Sequence, residues 1–261
     1  MPVIRERDAA TPFGVVYTPS SVAAPMVRLA LEPLLRGRTA AELLAIRVCD
    51  PAIGEGAFLV EVIDVIAQAL VAISPAESLA EARRQVAEQC IVGVDIDRRA
   101  VDAARIATGA PASALRVGDA LAIDWAAEFP DVFARGGFDA VVANPPYIRQ
   151  ERLAGKSLLQ RFASYDGVAD LYVYFVELAQ QLLRPDGRFC LIVPNKWLTT
   201  AYGRKLRTLL AESTSVDGVA DVSRAALFAG ADAFPCIVWG TSARERTPPV
   251  RAVRAPADLP V

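Results

Sequence analysis

The chain of 261 residues contains no histidine. That absence removes the Ser-His-Asp and Cys-His nucleophilic schemes, His-ligated zinc and the usual general base tuned near neutral pH. Cysteine is sparse: Cys49, Cys90, Cys190 and Cys236 stand far apart in apolar runs, without a Cys-x-x-Cys pair for zinc or redox work. Buried strand thiols are expected, and no metal. Lysine occurs only at Lys156, Lys196 and Lys205, leaving 25 of the 28 basic residues as arginine, an excess that is not in itself a sign of phosphate binding. The most apolar stretch, Ala57 to Ile73, is interrupted by Glu61, Asp64 and Gln68, and the N-terminus has no signal-peptide core. A cytoplasmic protein without membrane contact is expected. Net charge is only -2, so a polyanion would have to be met by a local patch.

What is present is enough apolar material, 53% of residues, for one large or two modest cores. Short β-rich runs alternate with longer helical patterns, the sequence form of a mostly parallel α/β sheet covered on both faces. Seven strands are predicted: Ile46–Cys49, Cys90–Val94, Leu115–Val117, Ala140–Ala143 (an apolar run reaching back to Phe138), Arg188–Val193, Val216–Ala220 and Pro235–Trp239. Helices are predicted from an N-cap at Ser20 to about Leu35, ended by Gly37, and over Ala57–Ile73, Ala76–Glu88, Leu171–Leu183 and Gly203–Leu210. Pro185-Asp186-Gly187 reads as a turn. Residues 1–241 read as one catalytic domain, and 242–261, rich in Pro and Arg, as a linker or peripheral strand leading out of it.

Chemistry concentrates at the strand ends. Asp50-Pro51-Ala52-Ile53-Gly54-Glu55-Gly56 joins a strand to a helix, with glycines that allow a tight turn and a close ligand approach. An ordinary turn would look the same. Leu59 stands where a dinucleotide fingerprint needs its third glycine, and Asp50 opposes a phosphate while suiting a cationic group. Asp95, at the next strand end, can accept both hydroxyls of a ribose, whereas Asp97 can cap the following helix; Asp119 can accept from an adenine amino group. Three acids at successive strand ends favour a nucleoside pocket over three solvated turns.

Asn144-Pro145-Pro146-Tyr147 follows directly on an apolar strand. Neither proline donates a backbone hydrogen bond and both restrict φ, so the turn is rigid. The Asn144 amide oxygen and a carbonyl, best that of Pro145, can accept both protons of an exocyclic amine. Two such acceptors favour rehybridisation of an otherwise delocalised nitrogen into a nucleophile. Tyr147 offers a flat face, and stacking on a base contributes roughly 1 to 3 kcal/mol. Pro235-Cys236 invites comparison with a thiol nucleophile, but it opens the apolar run FPCIVWG and reads as a buried thiol.

The ordered set FGVVYTPSSV, DPAIGEGAF, GVDID, GDAL, NPPYIRQERL, DLYVYF and GRFCLIVPNKWL resembles the γ-class S-adenosylmethionine-dependent DNA adenine N6-methyltransferases, especially the catalytic domains of type IIG restriction-modification enzymes. The resemblance covers about Phe13 to Gly240. It implies the Rossmann-like class I methyltransferase fold, S-adenosyl-L-methionine as cofactor and adenine in double-stranded DNA as target. It further implies that Tyr17-Thr18-Pro19 contact the methionine part of the cofactor and that Asp50, Ala52, Gly54 and Gly56 form the methionine loop. Asp95 then holds the ribose and Asp119 the adenine amino group, with Asn144 also beside the cofactor. Asn144, Pro145, Pro146 and Tyr147 become the catalytic motif. Phe228 sits where an aromatic stacks on the flipped base opposite Tyr147; a core Phe is the other reading, and Phe234 the fallback. Arg149, Arg152 and Arg161 are either phosphate contacts or a solvated face. DNA reading would fall to a target recognition domain or specificity subunit absent from this chain. Glutamine-amide methylation in a protein, RNA methylation and a non-catalytic cofactor-binding scaffold are the alternatives.

Overall fold

The computed structural model describes residues 18–76, 78–153, 155–223 and 234–242, together with the backbone of 251–254. Tyr17 and Phe228 lie outside these residues. Apolar, β-branched runs form β1 (Val48–Asp50), β2 (Ile91–Asp95), β3 (Leu115–Val117), β4 (Phe138–Ala143), β5 (Leu183–Pro194), β6 (Ser215–Asp221) and β7 (Pro235–Thr241). An eighth strand, β8 (Arg251–Arg254), joins the seven expected ones and pairs parallel with β6. The sheet order is β3-β2-β1-β4-β5-β7-β6-β8. β7 runs antiparallel to both β5 and β6, while the other pairs are parallel.

Side chains alternate between two cores, as the period of two along a strand requires. Val141 and Ala143 of β4 and Phe189, Leu191 and Val193 of β5 face one core, and Phe138 joins them because the register shift between Phe138 and Ala140 breaks the alternation there. Ala140, Val142, Cys190 and Ile192 face the other. Helices cover both faces: α1 (Ser20–Leu35), α2 (Ala40–Leu44), α3 (Ala57–Ile73), α4 (Leu79–Gln89) and α5 (Arg98–Thr108) in the first half, then α6 (Trp125–Glu128), α7 (Pro130–Phe133), α8 (Lys156–Leu159), α9 (Tyr172–Leu182) and α10 (Gly203–Ser213). α1, α3, α4 and α5 contribute to the second core and α9 to the first. Strands buried on both sides explain their nearly continuous apolar text.

Several local expectations change. Ser20 is not the N-cap: Pro19, extended at φ -61 and ψ 148, precedes the helix, and the Ser20 hydroxyl donates to Glu61 Oε1 at 2.5 Å. The predicted helix over Ala76–Glu88 starts only at Leu79, because Ser78 accepts from the Glu81 N–H and fixes the first turn there. Cys90 caps α4 instead of entering a strand; all four thiols are buried and free. The Pro185-Asp186-Gly187 turn lies within the irregular start of β5, where Asp186 adopts φ 61 and the register against β4 shifts. Among the described residues no helix is long and apolar enough to cross a membrane.

Candidate functional site

The strand order reverses between β1 and β4, each of which lies beside the other and starts one half of the sheet. A crevice opens at such a switch point beyond the carboxyl ends of the strands. Asp50 ends β1 on one side of it and Asn144 follows β4 on the other.

The loop after β1 is held by its own backbone and by its neighbour. Asp50 Oδ1 accepts the Ala52 N–H at 2.9 Å, the Ile53 N–H reaches the Val94 carbonyl at 3.2 Å, and the Gly56 N–H reaches Ile53 at 2.8 Å. Gly54 at φ 50 and Gly56 at φ 91 occupy the left-handed region that glycine adopts without strain. A Cβ at Gly54 would meet nothing within 4 Å, so the loop faces open space there. Asp50 itself is fully buried, and its Oδ2 has no hydrogen-bond partner. Burial pushes its carboxyl up to about 8, with the like charge of Asp95 adding to the rise and the Ala52 N–H opposing it. An orphaned buried carboxylate oxygen is costly and marks a place that a donor completes.

Asp95 Oδ2 accepts the Gly54 N–H and Oδ1 the Asp97 N–H, both at 2.9 Å. It thus pins the glycine loop, a role its position in sequence does not reveal, while its second lone pairs keep accepting capacity. Burial raises its carboxyl, and the two backbone donors counter this. Asp97 does cap α5, accepting from the Arg99 N–H at 2.8 Å. Asp119 follows β3 and turns on itself, its Oδ1 accepting the Leu121 N–H at 3.0 Å. The three acids therefore follow three adjacent strands at one sheet edge.

Gly93 explains how the loop can lie so close to β2. A Cβ there would stand 2.1 Å from Ile53 Cγ2 and 3.3 Å from the Asp50 carbonyl oxygen. Because Cγ2 sits on a branched, buried carbon, it cannot swing aside. Gly93→Ala is expected to destabilise the protein by about 1 to 3 kcal/mol through overpacking, visible as a melting midpoint lowered by several degrees; an unchanged midpoint would contradict this packing.

Opposite, the Asn144 Nδ2 donates to Thr18 Oγ1 at 3.0 Å, so Thr18 comes to the crevice from just before α1. Pro145 is buried, and Tyr147 is half-buried with its hydroxyl donating to the Ile192 carbonyl at 3.3 Å. Burial pushes the Tyr147 phenol well above its ordinary range, so it stays neutral.

The segment after Tyr147 is anchored by residues that sequence reasoning used only as part of a resemblance. The Gln150 N–H donates to Asp170 Oδ1 at 3.1 Å, and the Leu171 N–H to the Ile148 carbonyl at 3.0 Å. Lys156 Nζ closes the segment through Gln150 Oε1 at 2.6 Å. The signal available was an acid directly before an apolar helix, which is common at helix starts and so does not single out its partner.

The Asn195 N–H binds the Phe234 carbonyl at 2.8 Å, which brings Phe234, 61% exposed, to the carboxyl edge of β5. Cys236 is fully buried in β7, and burial pushes its thiol up to about 12, which suits a core thiol and not a nucleophile. Arg149 and Arg152 are exposed, whereas the Arg161 guanidinium donates to the Leu121 carbonyl and lies 5.1 Å over Phe162. Among the described residues no group of three His, Cys, Asp or Glu side chains is arranged to hold a metal ion.

Residues 113–228 match the Eco57I restriction-modification methylase family. The Type II methyltransferase M.XhoI of Xanthomonas vasicola is 32% identical over 126 residues, which are 46% of this chain and 23% of that protein. The Type II restriction enzyme and methyltransferase RM.Eco57I of Escherichia coli is 22% identical over 273 residues, 86% of this chain and 27% of the relative. Among solved structures, a Listeria monocytogenes protein described as a class I S-adenosylmethionine-dependent methyltransferase has a TM-score of 0.68 at 16% identity, covering 95% of this chain and 67% of that one. The chain spans about a quarter of the length of these curated relatives. The resemblance to restriction-modification methylases is thereby borne out, as is the class I methyltransferase fold, with one more strand than expected.

Proposed function

We propose, on the premise that residues 113–228 are of the restriction-modification methylase kind, that this chain transfers a methyl group from S-adenosyl-L-methionine to N6 of an adenine flipped out of duplex DNA. The reaction serves the modification half of a restriction-modification system in the cytoplasm. The observation that carries this reading is the Asn144-Pro145-Pro146-Tyr147 turn directly after β4, at the switch point beside the end of β1 where Asp50 stands.

The chain's residues suit the cofactor. Asp50 offers its orphaned Oδ2 to a cationic amino group, Gly54 leaves backbone beside open space with Ala52 and Gly56 in the same loop, and Asp95 and Asp119 stand at the neighbouring strand ends for hydroxyls and an amino group. Thr18 and Pro19 border the same crevice, and Tyr17 belongs with them by resemblance. When bound, the cofactor supplies an electrophilic sulfonium methyl.

The target base must leave the stack to reach this edge. Asn144 Oδ1 and the Pro145 carbonyl accept the two N6 protons and concentrate the lone pair on nitrogen, with Pro146 keeping the turn stiff. Tyr147 stacks on one face of the base. Phe228 is assigned to the other face by resemblance, with Phe234, exposed at the same edge, as the described alternative. Positioning supplies most of the acceleration, and the extra proton on the methylated nitrogen passes to solvent, so no histidine is needed. Arg149 and Arg152 are free to meet phosphates; sequence reading falls to a target recognition domain or specificity subunit outside this chain.

The test is methyl incorporation from labelled cofactor, assayed with this protein and any partner that reads the DNA. Label in N6-methyladenine of duplex DNA is the expected result. Label in the glutamine of a Gly-Gly-Gln loop or in RNA would overturn the substrate, and no thermal response to the cofactor would overturn the whole reading.

A further inference from the structure

We infer that Thr18 is a positioning residue for the transfer step: its hydroxyl accepts the Asn144 Nδ2–H and so holds the amide with its oxygen edge turned toward the substrate amine. The inference rests on the proposed function for its consequence, but on geometry for its contact. Resemblance alone would leave Thr18 as a cofactor contact.

An asparagine amide is nearly symmetric in shape, and a half-turn exchanges an acceptor for a donor. An amine about to act as a nucleophile has protons to donate, so only the oxygen edge serves it; the NH2 edge would repel them. Thr18 is 95% buried at the foot of α1, and Asn144 is 126 positions away, at the end of β4. The hydroxyl lies 3.0 Å from Nδ2 and satisfies a donor that the productive orientation turns inward. Valine has the same shape as threonine and no acceptor. In a Thr18→Val protein the productive orientation loses this hydrogen bond, which corresponds to about 2- to 13-fold in rate. Thr18→Ser keeps the acceptor and is expected to recover most of that loss.

Asn144 and Asn195 are the two asparagines of the chain, so selective 15N-asparagine labelling yields two side-chain NH2 pairs, and Asn144→Ala identifies the one that matters. The expected result is that Thr18→Val moves the Asn144 pair and speeds its exchange with water, while Thr18→Ser leaves it close to its original position. In methyl-transfer assays, Thr18→Val should lower kcat by the factor given, a fall larger than any change in cofactor Kd. An Asn144 pair insensitive to Thr18→Val would overturn the contact. A fall confined to cofactor affinity, an unchanged kcat, or a loss that Ser does not recover would overturn the positioning role. Absence of methyl transfer in the wild type, with the Asn144 signal still responding, would instead count against the proposed function.

Discussion

Asn144→Ala is expected to lower methyl transfer to DNA by about two to three orders of magnitude, the usual cost of removing one group that polarises a reacting centre. The amide is the one side-chain acceptor in the Asn144-Pro145-Pro146-Tyr147 turn that can face an exocyclic amine; the carbonyl of Pro145 alone leaves the nitrogen lone pair delocalised. The loss should fall on kcat. Asn144 is only half-buried and donates to Thr18, so the variant should keep its melting midpoint within a few degrees, and the fall in kcat should exceed any change in cofactor Kd. Asn144→Asp, which retains an oxygen on that edge, should lose less than the alanine variant. Single-turnover rates with labelled cofactor decide the matter, and a rate within threefold of wild type for Asn144→Ala would remove this residue from the chemistry.

Cofactor affinity should rise with pH from 6 to about 8, by nearly tenfold per unit at the lower end, and Asp50→Asn should flatten the curve while weakening binding at pH 8. The cause is the Asp50 carboxyl, held at about 8 by burial and by Asp95 in place of its ordinary 3.8. Because that value is raised in the folded chain, Asp50 remains protonated there in a window, from about pH 4 to 8, in which the unfolded chain has released the proton. Its contribution to the stability of the free protein is thus complete below about pH 4 and is lost as pH rises through 8. A cationic amino group selects the ionised form, so binding expels about one proton per site near pH 7. Above 8 the gain stops, because an α-amino group itself loses its charge near pH 7.7 to 8.0. Calorimetry at pH 7 in buffers of different ionisation enthalpy reads the proton count. Binding without proton release would mean that Asp50 does not meet the cation.

Much of this architecture was legible. Leu115–Val117 and Ala57–Ile73 coincide to the residue with β3 and α3, since the first is a short branched run and the second is apolar nearly all round. Boundaries failed where a single cap or a proline decided them, as at Ser78 and Pro19. The eighth strand was left open as a linker or a strand, because four residues of Arg-Ala-Val-Arg carry little periodicity and pair only when β6 presents a free edge. In the site, the three strand-end acids and the Asn144 turn were visible from spacing, whereas Asp170, which holds the segment behind that turn, was visible only as a family likeness.

The residues by themselves determined which chemistry is open to this protein. Without an imidazole, and with isolated thiols in apolar runs, imidazole and paired-thiol schemes were closed to it, and the alternation of apolar periods already required a sheet covered on both faces. Tertiary structure alone decided which oxygen meets which donor. Asp95 with Gly54 spans 41 positions, Asn144 with Thr18 spans 126, and Asp50 Oδ2 is left without a donor. Strand and helix periods follow from sterics and solvation among near neighbours, so they are written locally. Hydrogen bonds between loops depend on which strand ends the sheet order brings together, and no stretch of sequence carries that information alone.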